Sequence, residues 1–143
     1  MSLSGQNESV WVATTPSMRR YSALDGDLDV DVCIVGAGIA GLTAALLLKR
    51  AGRNVAVLEN GVVGHQVTGR SNAKLTSLHS LIYADLAARM GEDKARIYAD
   101  ANQAAIEHVA AWVEELSIDC GFERKPAYTF TADPSRVGEI ERE

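Results

Sequence analysis

Apolar residues cluster tightly over residues 30–35 and again over 54–58, and between them they recur at helical spacing from Ile39 to Ala51. Short, nearly unbroken apolar runs predict strands, the first of them covered on both faces, and the intervening period predicts a helix. Lys49 and Arg50 fall in its last turn, where cations suit the helix dipole, and Gly52 stands where a helix cap belongs. Residues 60–77, NGVVGHQVTGRSNAKLTS, have no period; a polar, glycine-bearing loop of that length inside a domain is usually either functional or disordered. Helical spacing returns over 80–90, ends at Gly91, and resumes over 92–116, where Ile97, Ala101, Ala105, Val109, Trp112, Val113 and Leu116 form the expected core-facing stripe. Beyond Gly121 the pattern turns to alternation, with a strand expected over 127–132, a break at Asp133-Pro134 and the beginning of a helix over 135–143.

Residues 7–29 read as an extended leader with turns at Thr15-Pro16 and Asp25-Gly26, anchored by Trp11 and Tyr21; residues 1–6 carry no fold information. The expected organisation is a leader over 1–29, the N-terminal part of a cofactor-binding domain over 30–120, and the start of a second, β-rich domain over 121–143. A strand lacking its pair and a helix lacking its end are expected of a chain cut from a larger protein.

The chemistry sits where the first strand turns into the first helix. Strand, GAGIAG (residues 36–41), helix, second strand and Glu59 follow in the order that binds an ADP-containing cofactor. Gly36 permits the tight turn, Gly38 leaves no side chain between backbone and pyrophosphate, and Gly41 lets the helix lie close to the sheet. The N–H groups at Ile39, Ala40 and Gly41 and the positive end of the helix dipole then meet the pyrophosphate. Glu59, at the tip of the second strand, is placed to accept hydrogen bonds from both ribose hydroxyls. Its carboxylate would repel a 2′-phosphate, which disfavours NADP and leaves FAD and NAD open. The fold class expected is α/β, a Rossmann-like FAD/NAD(P)-binding βαβ unit followed by a helical stretch and the truncated start of a β-rich domain. The 60–77 loop leaves the carboxyl end of the second strand, the edge where such sheets bind ligands, and is read as contacting the cofactor.

Composition excludes more than it adds. A net charge of −5 over 143 residues, with no basic stripe, argues against nucleic acid. The uncharged run between Val32 and Leu48 is shorter than the ~20 residues of a membrane span, and its glycines gather at a turn. Arg19-Arg20 is followed by an acidic stretch, not by the apolar segment of an export signal. Cys33 reads as a small core residue, and Cys120 follows a helix. No His/Cys pair has metal-ligand spacing, so no metal site is assigned, and a reduced, cytoplasmic compartment is the default. His79 and His108 lack matched partners and are read as structural.

The stretch from Asp31 to Glu143 resembles the N-terminal part of FAD-dependent oxidoreductases of the D-amino-acid oxidase and glycine oxidase superfamily. The resemblance is carried by DVCIVGAGIAGLTAALLLKRAG, VAVLEN, GHQVTGRSNAKLTS and IDCGFERKPAYTFTAD. The wording around SNAKLTSLHSLIYADLA is similar to bacterial members with a C-terminal Rieske iron–sulfur domain. It implies that Gly36, Gly38 and Gly41 meet the FAD pyrophosphate and Glu59 the adenosine ribose. Thr68, Ser71 and Lys74 become candidates for the pyrophosphate, ribityl chain or flavin edge, although Lys74 departs from the small, apolar character common there. It also implies oxidation of an amine or amino acid by hydride transfer to the flavin, the cofactor supplying the chemistry and the protein the orientation. No catalytic residue is identified.

Two other readings share the motif. An NAD-dependent Rossmann enzyme would continue with short alternating strands and helices, against which the long helical stretch argues. A non-catalytic nucleotide-binding fragment would expose an unpaired sheet edge and self-associate through it.

Overall fold

The structure is a computed structural model that describes residues 9–15 and 19–143. The turn expected at Thr15-Pro16 and the reading of residues 1–6 lie outside the described residues. Two compact units divide the chain, Met1–Ala73 and Lys74–Glu143.

The first unit is built on a parallel pair, β1 (Val32–Val35) and β2 (Val55–Leu58), in register Val32 to Val55 through Val35 to Leu58. The strand starts are pinned from outside the sheet: Asp31 accepts a hydrogen bond from the Asn54 N–H at 2.8 Å, and the Asn54 carbonyl accepts from the Asp31 and Val32 N–H groups. The crossover is helix α2 (Ile39–Arg50), its length set by Gly38 at one end and Gly52, at φ +78°, past the other. The Gly52 and Arg53 N–H groups bond back to the Lys49 and Leu48 carbonyls, which satisfies the last turn.

Helix α2 covers only one face of the pair. Val32 and Ile34 are half-buried beneath it, while Cys33 is exposed and Val35 is 85% exposed. The expectation of a strand buried on both faces, with Cys33 in a core, is therefore corrected. β1 alternates because no second layer lies on its other face among the described residues. The tightest spot in this unit is not in a strand: Ala37, inside the glycine turn, is 1% exposed.

The leader is not wholly extended. A short helix α1 (Val10–Thr14) starts where the Ser9 hydroxyl caps the Trp11 N–H. Serine at that position offers an early backbone donor a partner that an extended chain would not need. Residues 19–31 carry no helix or strand. Trp11 is anchored as expected, through its indole N–H to the Ser71 carbonyl at 2.7 Å. Tyr21 is not; it is 66% exposed and packs against the Arg19 guanidinium.

The second unit is helical. Helices α3 (Tyr83–Met90) and α4 (Glu92–Glu115) are separated by Gly91 at φ +90° and pack together. The covered face of α4 runs through Ala95, Ala99, Asn102, Ile106, Val109 and Val113. The expected stripe is thus corrected in its first half: Ile97 is 67% exposed, and Ala101 and Ala105 are exposed. The covered side of α4 begins on small alanines, and small side chains let a neighbouring helix approach closely. A short helix α5 (Val137–Ile140) follows a 3-10 turn at Pro134–Arg136.

No strand forms over 127–132. Residues 121–131 have no regular secondary structure, with Tyr128 and Phe130 79% and 87% exposed. Alternation marks a face that could be covered, but a strand also needs a neighbour for its N–H and C=O groups. Among the described residues none runs beside it.

At the other end of this unit, the Glu143 carboxylate accepts from the Ile82, Tyr83 and Ala84 N–H groups at 2.8, 2.7 and 3.0 Å. It thereby caps the free donors at the start of α3. Loss of solvent raises its pKa; the Ala84, Tyr83 and Ile82 N–H groups lower it more, and the net direction is down.

Candidate functional site

The expected motif is assembled in the first unit, at the carboxyl ends of β1 and β2. Gly36 leaves β1 at φ +100° while its N–H donates to the Leu58 carbonyl at 2.7 Å. That angle is one that residues with a Cβ rarely adopt. The turn brings the Gly36 carbonyl against Gly41, where a Cβ would stand 2.0 Å from that oxygen and 3.3 Å from Ile34 Cγ2. Gly41 is therefore required by close approach of helix to turn, as the sequence predicts.

Glu59 reaches back from β2. One carboxylate oxygen accepts from the Ala37 N–H at 2.9 Å and the other from the Gly61 N–H at 2.9 Å. The Ala37 and then the Gly61 bond hold its pKa below the ordinary 4.5, against the opposing effect of burial and with help from the Asn60 N–H. The group is an anion at neutral pH. Each oxygen keeps lone-pair capacity for a further donor such as a hydroxyl.

The 60–77 loop folds back onto the turn. The Gly64 N–H donates to the Ala37 carbonyl at 2.9 Å, and the Ile39 N–H donates to the Thr68 hydroxyl at 3.0 Å. Thr68 opens the 3-10 turn Thr68–Arg70. Gly64 and Gly69 repeat the device of Gly36 and Gly41: the first has φ +72°, and a Cβ on the second would stand 2.6 Å from the Gly64 carbonyl oxygen. A Cβ on Gly38 would meet the Thr68 hydroxyl at 3.2 Å. The loop is thus fitted to a turn that has no side chain at 38.

Of the residues expected from sequence, Gly36, Gly38, Ile39, Ala40, Gly41, Glu59 and Thr68 lie together in this arrangement, with the correction that the Ile39 N–H, expected to face the pyrophosphate, is taken by the Thr68 hydroxyl. Ser71 sits at the end of the 3-10 turn, where its hydroxyl accepts from the Ala73 N–H at 3.1 Å and its carbonyl holds Trp11. Lys74 belongs to the second unit. Two residues escaped sequence reasoning: Ala37 provides the N–H that orients Glu59, and Gly64 ties the loop to the turn. Trp11, read as an anchor, braces Ser71. The five-residue spacing of Gly64 and Gly69, equal to that of Gly36 and Gly41, is the signal that could have marked the loop's own tight turn.

The donor set suits an anion. Among the described residues, the N–H groups of Gly38, Ala40 and Gly41 have no hydrogen-bond partner at the start of the 12-residue α2. Backbone donors gathered at a helix N-terminus, with no Cβ at Gly38, fit the pyrophosphate of a dinucleotide, and the Glu59 carboxylate beyond them fits a ribose. The remaining titratable groups point to structure. His79 bonds through Nδ1 to the Tyr98 hydroxyl at 2.9 Å, and His108 packs edge-on against Trp112. Among the described residues no cluster of His, Cys, Asp or Glu could hold a metal, and no helix is long and apolar enough to cross a membrane. In the second unit a groove of about 600 Å³ lies between α4 and residues 118–124. Its wall includes Glu107, which accepts from the two terminal guanidinium nitrogens of Arg124 at 2.9 and 2.7 Å, and it holds none of the expected site residues.

Comparison with known proteins gives the family. The protein named as the Rieske 2Fe-2S iron-sulfur protein YhfW of Bacillus subtilis is 35% identical over 136 residues, covering 95% of this chain and 26% of that protein. Gamma-glutamylputrescine oxidoreductase of Escherichia coli is 29% identical over 124 residues, 87% of this chain and 29% of its own length. The oxidoreductase OrdL of Haemophilus influenzae is 34% identical over 94 residues, 66% and 22% of the two chains. The chain spans about a quarter of the length of these curated relatives. No solved structure matches it. The family model described as FAD dependent oxidoreductase matches residues 31–143, and the chain belongs to that family.

Proposed function

We propose that this chain supplies the ADP-binding half of the FAD site in a flavoenzyme that oxidises an amine or an amino acid. The observation that carries the reading is that free N–H groups at Gly38, Ala40 and Gly41 and the Glu59 carboxylate, held by the Ala37 N–H, meet at one glycine turn. The first binds a pyrophosphate and the second a ribose. In this reading β1, α2 and β2 are the opening unit of a Rossmann-like fold. Residues 30–120 belong to the cofactor domain, with 1–29 as its leader and 121–143 as the start of the substrate domain.

FAD held at this site would supply the hydride-accepting chemistry. This chain's part is to hold the dinucleotide: Gly36 sets the turn, Gly38 clears the approach, Gly41 seats the helix, and Thr68 and Ser71 border the pyrophosphate. Lys74 is the remaining candidate toward the flavin. The substrate class follows from the Escherichia coli relative, whose name specifies a compound bearing an amino group. The Bacillus subtilis relative's name raises a Rieske cluster as electron acceptor in the whole protein. We place the protein in the cytoplasm, and both its cysteines are free thiols. An unpaired edge of the two-stranded sheet is where copies of the isolated chain would associate.

The test is reconstitution. Purified protein is mixed with FAD, passed through gel filtration and scanned for flavin absorption, beside Glu59→Ala and Gly38→Val. Retained flavin in the parent and its loss in both variants are expected. Flavin retained equally by all three would overturn the assignment.

A further inference from the structure

We infer that Trp11, on the short helix α1, is a positioning residue for the cofactor loop, acting through Thr68. The inference rests on the dinucleotide reading above.

Helix α1 packs on the 3-10 turn Thr68–Arg70. Two contacts define how it sits. The Trp11 indole N–H donates to the Ser71 carbonyl at 2.7 Å, and a Cβ on Gly69 would lie 3.5 Å from Val12 Cγ2. The 3-10 turn is in this way held from outside by α1 and from inside by the Ile39 N–H on the Thr68 hydroxyl. Its own closing bond, Ser71 N–H to the Thr68 carbonyl, is long at 3.3 Å. The bracing from α1 therefore matters to where Thr68 stands.

The position of Thr68 has a chemical consequence. A hydroxyl carries one donor and two acceptor sites. With one acceptor site taken by the Ile39 N–H, the Thr68 hydrogen is left to donate, and it does so to no group among the described residues. An anion seated on the free N–H groups of Gly38, Ala40 and Gly41 would accept it. Among the described residues no hydrogen bond joins Trp11 to the turn at 36–41. Trp11 acts by fixing the 68–71 backbone, and Ser71, a candidate from sequence, contributes its carbonyl to the brace.

The test measures binding of ADP and of adenosine to the full-length protein and to Trp11→Phe, Thr68→Val and the double variant. Phenylalanine keeps the ring and removes the donor. One hydrogen bond is worth about a two- to tenfold change in affinity. Trp11→Phe is expected to weaken ADP by that amount, to leave adenosine unchanged, and to add nothing in the Thr68→Val background. Equal weakening of ADP and adenosine would mean that Trp11 only stabilises the fold, and would overturn the inference. So would an unchanged ADP affinity, or additive losses in the double variant. Failure of the parent protein to bind ADP at all would remove the dinucleotide reading and this inference with it.

Discussion

Replacing Gly41 by alanine sets two effects of opposite sign against each other. In a helix interior, alanine is favoured over glycine by about 1 kcal/mol. At this site the new Cβ would stand 2.0 Å from the Gly36 carbonyl oxygen, 3.2 Å from its carbon and 3.3 Å from Ile34 Cγ2. A carbon–oxygen contact settles at about 3.3 Å or more, so the oxygen and the helix must separate by over ~1 Å. The obstacle is backbone, fixed by the 2.7 Å bond from the Gly36 N–H to Leu58, and cannot swing aside as a side chain would. Overpacking of this kind costs about 1–3 kcal/mol, and a backbone clash belongs at the upper end. The clash wins, and Gly41→Ala is expected to lose about 2 kcal/mol in urea denaturation followed by circular dichroism. Gly138→Ala in α5 is the control: nothing lies within 4 Å of its Cβ, and it should gain about 0.5 kcal/mol. A Gly41→Ala protein as stable as the parent would refute the close approach of α2 to the turn.

Acid should unfold the protein through its lowered carboxylates. Glu59 and Glu143 both titrate below 4.5, so their stabilisation is complete above that value and is lost as pH falls through the lowered folded-state pKa. A melting temperature that is flat from neutral pH to about 5.5 and falls below 4.5, with a shallower fall in the Glu59→Gln and Glu143→Gln double variant, is expected. A thiol reagent should titrate two equivalents in the native isolated chain, because Cys33 and Cys120 are both exposed. Protection of Cys33 would show that a second layer, from another copy, covers the bare face of β1.

The parts legible in the sequence are those fixed by neighbours in the chain. β1, α2 and β2 follow from local apolar period and glycine placement, and the Glu59 site follows because its position depends on the length of one crossover. What failed needed partners that a pattern does not name. The alternation at Ala127–Ala132 is real, but Tyr128 and Phe130 find no neighbouring strand. The periodicity of α4 points to Ile97, whereas the covered face takes the alanines at 95 and 99. Trp11 reads as an anchor, yet no rule of spacing ties residue 11 to residue 71; only the folded loop does so. Thr68 came from resemblance, and its hydrogen bond to Ile39 supplies the physical reason that resemblance lacked.

The burial of Ala37 bears on how the molecule loosens. Its N–H is held by Glu59, its carbonyl by Gly64, and the amide before it by Leu58, so the end of β2 and the loop after it both close on one short turn. Opening the turn means releasing all of them together, while the exposed ends of α2 and of β1 can fray one bond at a time. Amide exchange should therefore be slowest at Gly36 and Ala37, in a stretch that composition alone would rank as the most pliable. A ligand arriving there finds a socket already set, and little of its binding energy is consumed in ordering the protein around it.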